Sequence, residues 1–220
     1  ALRIGQNTTA TPGAGNNTTG IGLNATGLAD FSSAGVTLTV NRTTDGQFAS
    51  WRSAGTEQGG LSVSGTTVTY STFNGSHEAQ LADGVDRSKL LRGTILETVD
   101  EQCDWYGYPD PVLPKIRISD QPGSKRVYGV FFDWYNSDPK NDTANNSALG
   151  AYVIRIAKGE VVEGGDLIES NGDGCGRVMR DHSLSGIEVQ QRLVAKITST
   201  VVAETYYDGS YLLPCTLHCG

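Results

Sequence analysis

The sequence predicts an all-β protein. Three observations carry this. No stretch shows apolar residues recurring at the 3.6-residue helical period. Short runs rich in Thr, Val, Ser and Tyr alternate with period two, as half-buried strands do. Between them stand Gly, Asn and Asp in turn combinations, and Gly reaches 28 of 220 residues, above the usual share of about 7%.

Composition divides the chain at Asn74-Gly75-Ser76-His77. Before it the chain is charge-poor and rich in Gly, Thr, Ser and Asn. After it come most of the charges, all four cysteines and six of the seven prolines. A chain of 220 residues accommodates two small domains. The expected division is 1–75, shaft and small β-domain, and 76–220, terminal β-domain. Because the chain starts inside a repeat-like pattern, with no apolar leader after Ala1-Leu2-Arg3, it is expected to be the C-terminal end of something longer.

The elements follow in order. Ile4-Gly5-Gln6-Asn7 and Ile21-Gly22-Leu23-Asn24 form a weak repeat, Ile-Gly-x-Asn. Small and apolar residues with Gly corners stack as a narrow β-roll or an interwoven fibre shaft, which buries enough surface only against other chains. Residues 36–75 predict a β-meander: strands at 36–40, 48–52, 61–64 and 67–70, with turns at 44–46, 54–56 and 58–60. In the second domain, strands are predicted at 90–99, 116–118, 127–134, 150–156, 166–170, 193–200 and 211–219. Residues 103–114 form an aromatic loop and 136–146 a polar, mobile one. Asn171-Gly172-Asp173-Gly174 is a hairpin turn. The domain reads as a β-sandwich or irregular barrel.

Charge narrows the function. A net charge of −7 offers no counterion-releasing basic surface, so neither nucleic acid nor an anionic membrane is an expected partner. No apolar run approaches the roughly 20 residues that span a bilayer, so no membrane insertion is expected. Cys103, Cys175, Cys215 and Cys219 are too few for a disulfide scaffold. Cys215, His218 and Cys219 make only half a zinc site, and Cys215, Leu217 and Cys219 share one strand face as small hydrophobes. The Asn171–Gly174 turn lacks the third acidic position and closing Glu of a calcium loop. Asp133, Asp138 and Asp142 belong to a solvated loop. No metal and no cofactor are expected. The sequons at Asn7, Asn24, Asn41 and Asn145 arise by chance in a Thr/Asn-rich chain.

Two constellations carry candidate chemistry. At Gly75-Ser76-His77 the Ser76 hydroxyl stands next to the Gly75 carbonyl, where attack gives an ester that water opens. His77 is the nearest base, and Asp83 or Asp86 is placed to orient it. Neighbouring strand residues face opposite ways, so His77 reaches Ser76 only in a turn. The other reading of these residues is an ordinary Asn-Gly turn. The second constellation is Trp105, Tyr106, Tyr108, Trp134 and Tyr135, flat rings suited to a glycan face, to the core or to a subunit interface.

Several stretches resemble phage tail fibres. Residues 20–27, 37–46 and 59–65 are similar to the stretch before the terminal domain of many such fibres. Leu91-Arg92-Gly93-Thr94-Ile95-Leu96-Glu97-Thr98, Tyr128-Gly129-Val130-Phe131, Gly165-Asp166-Leu167-Ile168 and the run from Thr205 to Cys215 resemble a domain at the ends of phage structural proteins, cyanophage fibres among them. The resemblance implies a virion structural component, made in the host cytoplasm and extracellular when mature. It implies a homotrimer whose terminal domain acts as an intramolecular chaperone, with a host-surface glycan or protein as further partner. In several such families the domain cuts itself off, once per chain, just before a Ser, the place Ser76 occupies. Those chaperones begin Ser-Asp-x-Arg-Leu-Lys; here Ser76-His77-Glu78-Ala79-Gln80-Leu81 lacks the basic residue.

Overall fold

The computed structural model describes residues 2–4, 20–23, 29–53, 55–71, 74–105, 107, 109–110, 112–135 and 142–219. Their regular structure is nearly all strand, as expected. Residues 1–71 and 72–220 form two compact units. The division falls a few residues ahead of 75/76, and Asn74-Gly75-Ser76-His77 lies inside a strand of the second unit rather than in a turn.

The first unit holds two small antiparallel sheets. One comprises β1 (Leu2–Ile4), β2 (Gly20–Leu23) and β3 (Ala29–Ser32). Ile4 and Ile21, the first residues of the two repeat copies, stand opposite each other there; residues 5–7 and 24 lie outside the described residues. The other comprises β4 (Gly46–Ser53), β5 (Thr56–Ser64) and β6 (Thr67–Ser71), in that order. Asp45 ties it together: its carboxylate accepts from the Ser64 hydroxyl at 3.2 Å and the Gly65 amide at 3.0 Å. Two expectations fail here. Residues 58–60 are not a turn but the middle of β5, where the register against β4 shifts by one residue between Gly59 and Glu57. Residues 36–40 have the period of a strand but are in no sheet. Phe31, Val36, Leu38, Val40, Trp51 and Val68 of this unit are all exposed.

The second unit is built on a different principle. Its strands are β7 (Asn74–Leu81), β8 (Ile95–Gln102), β9 (Pro114–Ile118), β10 (Val127–Trp134), β11 (Thr143–Ile156), β12 (Leu167–Ser170), β13 (Gly176–Val178), β14 (Ala195–Ile197), β15 (Glu204–Thr205) and β16 (Tyr211–His218). The neighbour order β10-β8-β9-β7-β11 closes on itself through β10–β11, giving a five-stranded barrel. The order β11-β13-β12-β14-β16 closes again through β11–β16, giving a second five-stranded ring. The 14-residue β11 belongs to both. Its first part pairs with β7 and β10, and its last part with β16, from Leu149 opposite His218 to Ile156 opposite Tyr211. Residues 143–146, expected in a mobile loop, are therefore strand.

Each ring has a core. Ala79, Leu81, Leu96, Ile116, Phe131 and Ala144 fill the first. Ile154, Ile156, Ile168, Ile197, Leu213 and Leu217 fill the second, joined by Ile95 and Val130. Ile95-Leu96 and Val130-Phe131 thus send adjacent side chains to opposite cores. At Ile95-Leu96 and Val130-Phe131 the strands β8 and β10 are buried on both faces, so they read there as continuous apolar pairs instead of alternating. Each such side chain contributes roughly 1.5–3 kcal/mol on full burial.

One helix departs from the all-strand expectation: α1 (Gly186–Arg192). Ser185 caps it, its hydroxyl accepting from the Glu188 amide while the Glu188 side chain takes the Ser185 amide.

Where the rings meet, Gly93 sits at φ 79° with its amide on the Phe131 carbonyl and its carbonyl on the Arg155 amide. A Cβ there would lie 2.8 Å from the Arg155 backbone nitrogen. Gly84, at φ 81°, has open space around it. In urea unfolding, Gly84→Ala is expected to cost about 1–2 kcal/mol of backbone strain, and Gly93→Ala on the order of 3 kcal/mol or more. Equal costs for the two would show that the ring junction tolerates displacement.

Candidate functional site

The predicted cleavage residues are not brought together. Gly75, Ser76 and His77 run along β7, paired with Leu149, Ser147 and Asn146 of β11. Ser76 is exposed, whereas His77 turns to the side of Ala79 and Leu81. There its ring meets Tyr128 edge-on, with centroids 4.3 Å apart. Its Nε2 is buried with no hydrogen-bond partner among the described residues. Burial lowers the His77 pKa, against a smaller opposing effect of a hydrogen bond with the Tyr128 backbone. Asp83 lies in the turn after β7, and the Asp86 carboxylate caps the short 3-10 turn Arg87–Lys89. Neither orients the imidazole. An imidazole on the core side of the strand cannot take the proton of a hydroxyl on the opposite face.

The aromatic constellation also divides. Trp134 packs on Phe131, 4.7 Å between centroids, and Arg87 covers its ring at 3.8 Å. It is a core-edge residue shielded by a cation. Trp105 is half-buried and Tyr135 exposed. Tyr106 and Tyr108 lie outside the described residues, as does Asp138. Among the described residues no group of three or more His, Cys, Asp or Glu is placed to hold a metal.

A cleft of about 330 Å³ opens instead at the seam of the two rings. Asp120 comes from the end of β9, Asp173 from the β12–β13 turn, Tyr207 and Asp208 from the β15–β16 turn, Arg155 from β11 and Lys89 from the 3-10 turn. The Asn171–Gly174 turn is present as expected. Its Asp173 accepts from the Cys175 amide at 3.0 Å and the Asn171 side chain at 3.1 Å.

The polar groups behind the cleft are fixed. Arg155, 7% exposed, donates Nε to Ser210 at 2.8 Å, one Nη to Thr94 at 3.1 Å and the other to Asp208. Desolvation pushes the Asp208 carboxyl up, but hydrogen bonds from Ser210 and the Arg155 charge outweigh it, leaving the pKa below its ordinary value. Beside it the buried Ser119 hydroxyl donates to Glu97 at 2.9 Å and lies 2.7 Å from the Ser170 hydroxyl. Arg117 joins Glu97 to Asp120, at 2.9 and 3.0 Å. The cleft therefore presents Asp120 and Asp208 in positions set by charged partners, and Asp173 held by its own turn, next to a Tyr207 ring that is 88% exposed. Nothing in the spacing of Asp120, Asp173 and Asp208 along the chain marks them as neighbours. Only ring closure does.

No protein-family model matches this chain, and no curated protein matches it.

The His77 geometry sets a pH dependence. With the folded pKa below the unfolded value of about 6.5, the folded state disfavours the imidazolium. This penalty is absent well above pH 6.5 and grows as pH falls through 6.5 towards the folded pKa. The urea midpoint is expected to decline from pH 8 to pH 5, with a shallower decline in His77→Gln. Identical slopes would mean that the ring is not desolvated.

Proposed function

We propose that this chain is the C-terminal part of a trimeric phage tail fibre, a virion structural component whose second unit promotes assembly of the first. The observation that supports this is the distribution of the core. Every buried apolar side chain among the described residues falls at Ala79 or later. The first unit instead exposes Val36, Leu38, Val40, Trp51 and Val68. Small three-stranded sheets that expose this much apolar surface gain stability by association. The second unit has two cores of its own. A domain with its own cores following one that gains stability by association is the arrangement an intramolecular chaperone requires. No cleavage step is included, because Ser76 and His77 face opposite sides of β7.

The test is native mass measured beside denatured mass on one sample. The expected result is three full-length copies. A monomer at all concentrations would overturn the reading.

A second reading concerns the host surface, and the cleft at the ring seam favours it. Fixed carboxylates accept hydrogen bonds from hydroxyls, and the Tyr207 ring offers a flat apolar face; together these suit a neutral saccharide. Three carboxylates beside only Arg155 and Lys89 disfavour an anionic ligand. With glucose, galactose, rhamnose and N-acetylglucosamine at millimolar concentration, saturation-transfer NMR is expected to show contact with at least one. Tyr207→Ala and Asp120→Asn should abolish it without changing the circular dichroism. No transfer from any of the four sugars would remove this reading.

A further inference from the structure

Residues 36–41, Val-Thr-Leu-Thr-Val-Asn, have the strict alternation of a strand. They are in no sheet and make no hydrogen bond among the described residues. Val36 is 82%, Leu38 62% and Val40 48% exposed. Backbone amides and carbonyls are obligatory hydrogen-bonding groups, so a β-forming run left open is a template for another edge.

The edges of the β4-β5-β6 sheet are unequal. Along β4 Phe48 is an extra residue between Gln47 and Ala49, and a bulge of this kind discourages further pairing. The β6 edge, Thr67–Ser71, pairs with β5 without a shift and carries no charge or proline. Its outer side has no backbone partner among the described residues, and Val68 is 52% exposed. Neither the 36–41 run nor β6 has the lysines, prolines or bulges with which monomeric proteins protect an edge.

Charge selects the occupant. In residues 1–71, Arg3, Arg42 and Arg52 balance Asp30, Asp45 and Glu57, so the whole −7 resides in the second unit. A neutral unit neither repels its own copies nor attracts an acidic or basic partner. Both pairing surfaces are themselves uncharged.

We propose that residues 36–40 of one copy add as a strand to the β6 edge of a second copy of this chain. The contact is head-to-tail, each copy giving one strand and receiving another, and such a contact closes into a ring when the rotation allows. The alternation places Val36, Leu38 and Val40 on one face of the extended sheet, where they bury together. This rests on the assembly reading above and names its interface.

The experiment uses the full chain with a benzophenone amino acid in place of Leu38. After irradiation, the expected crosslink joins that position to a peptide containing residues 67–71 of a different copy, shown by mixing isotopically light and heavy chains. Leu38→Asp should weaken association at least tenfold by sedimentation, while Val201→Asp, at an exposed apolar position of the second unit, should leave it unchanged. An oligomeric chain whose crosslinks are only intramolecular or fall elsewhere, or which tolerates Leu38→Asp, overturns the strand addition and leaves the assembly reading intact. A chain monomeric at every concentration overturns both.

Discussion

The structure of the second unit depends on one strand serving two rings. β11 pairs with β7 and β10 over its first part and with β16 over its last. Near the exchange point its register against β7 shifts between Ser147 and Leu149, followed by Gly150 at φ 100°. A bulge increases twist and bends a strand, which lets one strand leave one ring and enter another. Because β8 and β10 also present Ile95 and Val130 to the second core, neither ring has an outer wall independent of the other. Loss of either core exposes part of the other.

The seam between the rings is polar for a related reason. Arg155 lies on β11 between Ile154 and Ile156, which fill the second core, and so points to the opposite face, towards the junction. A guanidinium buried there is tolerable only with its donors used, and Ser210, Thr94 and Asp208 use them. Glu97 is similarly satisfied by Arg117 and Ser119. These fixed groups form the back of the cleft. The candidate binding surface is thus a by-product of how two barrels are joined.

Much of this was legible in the residues. Val127–Trp134 and Tyr211–His218 stand out as strands by β-propensity and apolar content, and Asn171-Gly172-Asp173-Gly174 by turn chemistry. Ring closure was not legible, since pairing between β7, β11 and β16 depends on contacts far apart in sequence. Residues 143–146 hid within a polar stretch because Asn145 and Asn146 disfavour strands; tertiary pairing with β7 overrides that preference. Helix α1 was missed although Ser185-Gly186-Ile187-Glu188 is a capping box in plain sight, because the following turn is too short to show a period. At the candidate sites, adjacency in sequence pairs Ser76 with His77, whereas strand alternation separates them. The flat ring of Trp134 suits a sugar face by residue type, whereas Arg87 and Phe131 enclose it.

The long reach of β11 has a consequence for synthesis. Its partner β16 is made after every other strand of the double ring, and until Tyr211–His218 emerges, the Leu149–Ile156 stretch of β11 is an open edge beside uncovered Ile154 and Ile156. Contacts that join distant parts of a chain form late and slowly. A nascent chain therefore carries a sticky, half-built barrel from the synthesis of Ile156 until that of His218. Only a chain that has reached His218 is able to hide it.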